Sequence, residues 1–152
     1  MIKFSVTQFG KPLDPSKYIW DESTRTFSTN ESNLVLDFLD VDFCTFTTGS
    51  NCIFTTGYSC TFTTLDRCTF TTCSDCTFTT GSDCTFTTGS ECVVVRRDIF
   101  EVHQLVEGET VKLNGWGVPG LVKVVESRDE ILGKLLEKLK TLDIDDLKKL
   151  LV

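Results

Sequence analysis

The sequence predicts a mainly β protein, a parallel β-solenoid of eight-residue repeats, and three observations predict it. Cysteines fall at 44, 52, 60, 68, 76, 84 and 92, a spacing of eight without a slip. Two residues after each of them stands a large apolar residue: Phe46, Phe54, Phe62, Phe70, Phe78, Phe86 and Val94. Residues two apart in a strand share a face, so Cys44, Cys52, Cys60, Cys68, Cys76, Cys84 and Cys92 point inward with their aromatic neighbours. Between these pairs lie turn residues, opening on glycine at Gly49, Gly57, Gly81 and Gly89 and reading Gly-Ser-Asx at Gly49-Ser50-Asn51 and Gly81-Ser82-Asp83. A lone strand-turn unit of this size cannot bury a face, whereas stacked units can.

Each unit reads as a five-residue strand and a three-residue turn. The threonines on either side of the phenylalanine point outward, and threonine and phenylalanine both favour strands. Two units per coil make a flattened solenoid of two facing sheets; three make a triangular prism. Phenylalanine is too large for three ladders to converge without crowding, while sheets ~10 Å apart accommodate a Cys/Phe layer. The two-sided form, 16 residues per coil, is therefore the expectation. Leu36 and Phe38 extend the register upstream, and Val94, Phe100 and Val102 extend it downstream. Nine units follow, starting at 36, 44, 52, 60, 68, 76, 84, 92 and 100. Leu65-Asp66-Arg67 and Cys73-Ser74-Asp75 depart from Gly-Ser-Asx. On two sides, Leu65 stacks between Gly49 and Gly81, and Cys73 between Gly57 and Gly89.

Taken in order, four segments form one compact unit of 152 residues. Stacked coils expose unpaired strand edges at both ends, and these need covers. Residues 1–35 read as a small β-cap, with apolar runs Ile2-Phe4-Val6 and Tyr18-Ile19-Trp20 around a Gly/Pro turn and then Thr26-Phe27-Ser28. Residues 36–103 are the array. In 104–126, Thr110–Leu113 and Gly120–Val125 read as strands. In 127–152 the period becomes helical. Ser127 and Glu130 form a capping box, and Ile131, Leu132, Leu135, Leu136, Leu139 and Leu142 form one stripe. Asp143 then caps a shorter helix carrying Ile144, Leu147, Leu150 and Leu151. Two readings of the tail stay open: it folds back over the last strands, or Leu132, Leu135, Leu136, Leu139 and Leu142 pair with another copy.

The tandem Cys-Thr-Phe-Thr-Thr-Gly-Ser-Asx units resemble a family of octapeptide-repeat proteins of tailed phages and large DNA viruses. Flanking segments are similar too: Lys17-Tyr18-Ile19-Trp20-Asp21, Thr26-Phe27-Ser28-Thr29, Asn33–Phe38 and Val93-Val94-Val95-Arg96-Arg97-Asp98. The resemblance covers roughly residues 13 to 117. It implies the solenoid fold and a viral setting, and it implies no catalytic residue.

Little in the sequence points to chemistry, and no enzyme activity, cofactor or metal site is expected. Zinc needs four converging ligands, and only Cys73-Ser74-Asp75-Cys76 has paired spacing; by phase Cys76 faces inward while Cys73 lies in a turn. The regular spacing favours a ladder of free thiols acting as small buried hydrophobes over disulfides. His103, the one histidine, has no nucleophile context around it. Arg96 and Arg97 fall where the array closes, a structural place more than a ligand site. The turns lack the ligand pattern of calcium β-rolls.

The formal net charge of -7 disfavours a nucleic-acid binder working through phosphate contacts and leaves room for a basic partner. No stretch reaches the ~20 apolar residues of a membrane-spanning helix, and no secretory signal is visible at the N-terminus. The expectation is a non-catalytic scaffold or protein-interaction surface, cytoplasmic or virion-associated, whose partner is itself or a host protein. Thr45, Thr47, Thr61, Thr63, Thr77 and Thr79 are its candidate surface. The alternatives are an acidic mimic of nucleic acid and a lattice-binding face, because Thr-x-Thr ranks look like those of ice-binding solenoids.

Overall fold

The computed structural model describes residues 2–125 and 128–151, so the expected capping role of Ser127 lies outside the described residues. The chain runs through β1 (Ser5–Gln8), β2 (Lys11–Pro12), a single 3-10 turn (Pro15–Lys17), β3 (Ile19–Asp21), β4 (Thr26–Ser28) and β5 (Leu34–Phe38). The repeats supply β6 (Thr45–Thr47), β7 (Ile53–Thr56), β8 (Thr61–Thr63), β9 (Thr69–Thr71), β10 (Thr77–Thr80), β11 (Thr85–Thr87) and β12 (Cys92–Arg96). Then come β13 (Val102–Leu105), β14 (Thr110–Leu113), β15 (Leu121–Lys123), α1 (Arg128–Thr141) and α2 (Ile144–Leu150).

Successive strands alternate between two sheets, so the solenoid is two-sided. One sheet orders as β15-β14-β11-β9-β7-β5-β1-β2, the other as β13-β12-β10-β8-β6-β4-β3. Thr45 pairs with Thr61 and Thr61 with Thr77, in parallel and 16 residues apart.

Both ends of the array differ from the expected register. Leu36 pairs with Phe54, not with a cysteine, and Phe38 pairs with Thr56. Extra residues in the turn between β5 and β6 move this strand by two positions, so Leu34 lies level with Cys52. Phe27 pairs in parallel with Phe46, which makes β4 the first strand of the array and not part of a cap. At the other end β13 runs antiparallel to β12. Phe100 is 86% and Val102 62% exposed, so neither continues the apolar pair. The parallel strands are thus β4 to β12, one step earlier in the chain than the period alone indicates.

The interior is an aromatic stack. Phe46, Phe62 and Phe78 lie nearly parallel along one sheet, with centroids 5.0 and 4.9 Å apart. Phe54, Phe70 and Phe86 repeat this on the other at 5.0 and 5.1 Å. Across the gap the rings meet edge to face, as in Phe62–Phe70 at 5.1 Å and 72°. One coil's rise is therefore close to a stacking distance in one direction, and the sheet gap suits T-shaped contact in the other; both are favoured aromatic geometries. Each of the seven ladder cysteines is buried in this interior and its Sγ points at turn carbonyls, as Cys68 does toward Gly49 O at 3.5 Å. The second threonine of each Thr-Thr pair also turns inward: Thr48, Thr56, Thr64, Thr72, Thr80 and Thr88 are buried.

The turns explain why Leu65-Asp66-Arg67 and Cys73-Ser74-Asp75 lack the glycine. Gly49, Gly57, Gly81 and Gly89 do not have positive φ. The left-handed residue is the one before each cysteine: Asn51, Ser59, Arg67, Asp75, Asp83 and Glu91 all have φ between 55° and 62°. The glycines are there for space. A Cβ on Gly81 would lie 1.8 Å from Asp66 Oδ1, and one on Gly89 would lie 2.4 Å from Ser74 Oγ. Those oxygens accept the backbone N–H of Ser82 and Ser90, each at 2.9 Å. Asp42 and Ser32 do the same for Tyr58 and Ser50, at 2.8 and 2.9 Å. Along each edge a turn that donates a side chain alternates with a glycine turn that receives it. Leu65 and Cys73 occupy donating turns. Their amides and carbonyls stack between those of Gly49 and Gly81, and of Gly57 and Gly89.

Antiparallel strands close both ends. At the start, Phe4 stacks on Phe38 at 4.5 Å and Tyr18 on Phe27 at 5.1 Å. At the finish, Arg96 is fully buried against Asp98, with Nη2 to Oδ2 at 2.5 Å. Arg96 also donates to Val118 O at 2.6 Å and Gly115 O at 3.0 Å, while Gly117 N–H donates to Asp98 at 2.9 Å. Burial works to raise the Asp98 carboxyl, but the bonds from Arg96 and Gly117 outweigh it and hold it below its usual 3.8. This pair pins the 114–120 loop over the last coil.

The tail does not fold onto the array. None of α1's residues is buried, and Ile131, Leu132, Leu135, Leu136, Leu139 and Leu142 are each 37–59% exposed. Asp143 does cap α2, its carboxylate accepting the Asp146 N–H at 2.8 Å.

Candidate functional surface

Because each strand repeats the one a coil away, its outward side chains fall into ranks. Thr45, Thr61 and Thr77 form one rank and Thr47, Thr63 and Thr79 a second, ending on Val93 and Val95. Thr69 with Thr85 and Thr71 with Thr87 form the ranks of the opposite sheet, preceded by Ile53 and Thr55. Successive members of a rank lie ~4.8 Å apart and the two ranks of one face ~6.6–7 Å apart, set by strand geometry. These faces carry methyls and hydroxyls and, within the repeats, no charge.

The charges are at the edges. Asp75 and Glu91 stack on one edge below Ser59, while Asp83 lies on the other beyond Arg67 and Asn51. Acidic rows are thus short and interrupted. One edge also holds a groove: a 320 Å³ cavity between Leu65, Asp66, Arg97 and Trp116, continuing into a 200 Å³ cavity toward Thr47 and Thr63. Arg97 crosses it and donates to Thr64 O at 2.6 Å. Trp116 is 70% exposed on its rim. Sequence reading missed this groove because residues 65, 97 and 116 meet only once the coils stack; the break in the repeat at Leu65 was the one available signal.

The cysteines are all free thiols. Among the described residues no cluster of three or more ligating side chains could hold a metal. Hydrogen bonding to Cys60 and then burial push the Cys76 thiol up. For Cys68 the bond to Cys52 favours the thiolate, but the bond to Cys84 and burial outweigh it and push the thiol up to about 11. A thiol raised in this way packs as a small hydrophobe, whereas the bonds from Cys60 and Cys68 hold the Cys44 and Cys84 thiols below their usual value. Cys73 is half-buried in its turn, and its carbonyl accepts from Cys92 Sγ at 3.4 Å. His103 pairs with Glu101, which also accepts the Gly120 N–H at 2.8 Å. No described helix is long and apolar enough to cross a membrane.

The arrangement offers two flat ranked faces, one edge groove and an exposed helical stripe. Compared with protein-family models, curated proteins and solved structures, the chain matches none.

Proposed function

We propose that this chain is a non-catalytic scaffold whose rigid array presents its threonine faces to a protein partner, in the viral setting that the octapeptide resemblance implies. One observation carries this reading: the outward side chains repeat in register from coil to coil, so the distinctive feature is a surface of fixed period and not a point where unlike groups converge. A stack that is closed at both ends by antiparallel strands holds such a surface without adding further copies at its edges. The test is capture from host lysate with the wild-type chain and with Thr61→Lys/Thr63→Lys, circular dichroism confirming an unchanged array. A partner held by the first and lost by the second supports the reading. Identical capture by both, and by Thr69→Lys/Thr71→Lys on the opposite sheet, would exclude the faces.

A second reading is favoured by the same ranks: regular hydroxyl and methyl rows suit an ordered lattice such as ice. It requires reshaping of ice crystals that disappears in Thr61→Lys/Thr63→Lys, and unaltered growth at high protein concentration would remove it. The nucleic-acid mimic needs continuous acidic rows, and the interrupted edges argue against it. Binding to a DNA-processing host enzyme that weakens with salt would revive it.

A further inference from the structure

We infer that the helical tail is a self-association element, in which two copies pair their α1–α2 segments antiparallel to form a four-helix interface. The seam is written in the spacing. Leu132, Leu135, Leu139 and Leu142 step by three, four and three, the interval of an a/d seam. Ile131 and Leu136 widen it on both flanks, and a stripe broader than a/d suits a bundle of more than two helices. Each copy brings two helices, with Ile144 and Leu151 extending the apolar surface and also exposed. The uncovered stripe is on the order of several hundred Å², the size at which an apolar patch marks an interface.

Helix stability makes the same demand. Isolated helices shorter than ~12–15 residues are marginal in water, and packing supplies most of their stability. α1 has 14 residues, interrupted by Gly133, and α2 has 7. Within the described chain neither has a core to lie on.

Charge identifies the occupant. Residues 128–151 carry six basic and six acidic side chains. Both helices are acidic in the first turn, with Asp129 and Glu130 in α1 and Asp145 and Asp146 in α2. Both are basic in the last, with Lys138 and Lys140, and Lys148 and Lys149. A second copy laid antiparallel sets acidic ends on basic ends at both extremities of the seam. Parallel pairing sets like on like. An anionic membrane surface favours a uniformly basic polar face, which this is not.

The inference stands apart from what the array faces bind, and its test reads mass. Sedimentation of the full chain should give twice 17.0 kDa. Leu135→Lys/Leu139→Lys should return it to one chain with the β spectrum and array melting unchanged. Lys138→Glu/Lys140→Glu alters only exposed side chains and makes both ends acidic. It should weaken association by about tenfold or more if the copies are antiparallel, and leave a parallel pair unaffected. Added salt should weaken the wild-type pair. A single-chain mass for the wild type at ~100 μM, a dissociation constant unchanged in either variant, or tightening by salt would each overturn the inference. So would recruitment of single chains to anionic vesicles.

Discussion

Phe62 and Leu135 are both large apolar side chains in regular secondary structure, yet Phe62 is fully buried and Leu135 is half exposed. The array and the tail differ in how an apolar residue finds its partner. In the array the partner is supplied by the chain itself, because position n meets position n+16 and the identical residue stands there. Two ladders then face each other across the sheet gap. The tail has the apolar residues and their spacing but no facing layer within the described chain. Burial follows from registered repetition and not from hydrophobicity alone.

The contrast can be broken most sharply at the stack. Phe62→Ala should cost ~3–5 kcal/mol in denaturant unfolding, since a ring flanked above, below and across leaves a cavity that cannot collapse. Leu135→Ser should leave array unfolding within ~0.5 kcal/mol. Equal losses for the two would mean that the tail is part of the array's core.

At the closing end, Asp98→Asn should cost ~3 kcal/mol by leaving the Arg96 guanidinium buried without its counter-charge. Because the folded Asp98 carboxyl sits below its usual value, the stabilisation it gives is present above that value. It is lost as the pH falls through the lowered one. Acid titration followed by Trp116 fluorescence should detect loosening of the 114–120 loop before the array melts, and Asp98→Asn should abolish that early step.

At the turns, Gly81→Ala should cost ~1–3 kcal/mol, because the new methyl must displace the Asp66 carboxylate from the Ser82 N–H. The pairing itself is tested by Asp66→Ala/Gly81→Ala, which should be less harmful than the two single changes added together. Smaller still, Cys60→Ala should cost ~1–2 kcal/mol for the lost sulfur volume. Thr61→Ala, on the outward side of the same strand, should stay within ~0.5 kcal/mol. The order Phe62 above Cys60 above Thr61 is the check on which face is inside, read by equilibrium unfolding. Reducing agent should change none of these values, the cysteines being free.

Much of this fold could be read from residue order, for a physical reason. A period of eight with an inward pair two residues apart leaves one strand face per unit, and ring size selects two sheets. What escaped was whatever the period does not control. The shift at Leu34 and Leu36 comes from a longer turn after β5, whose extra residues look like any other turn residues. Phe27 belongs to the array, and Thr26-Phe27-Ser28-Thr29 carries the unit's own pattern, but the irregular spacing to Phe46 hides it. The inward threonines were hard to place because the residue type suits either face, and only their position beyond the cysteine and the ring decides. Of the surface, the Thr ranks follow from alternation, whereas the groove at Arg97 and Trp116 depends on contacts between segments far apart in the chain.

The alternating turns have a consequence for how such a chain can change length. Donating and glycine turns succeed one another along both edges, so the structural repeat spans two coils, four times the octapeptide. Excising residues 57–72 would set Cys73 over Asp42 and Gly81 over Gly49. The first junction then crowds a Cβ into the place of a carboxylate, and the second leaves an amide without its acceptor. Excising residues 49–80 would instead bring Gly81 over Ser32 and Gly89 over Asp42, restoring both fits. Growth and shrinkage of the array are therefore quantised in 32-residue steps, although every eight residues look interchangeable on the page.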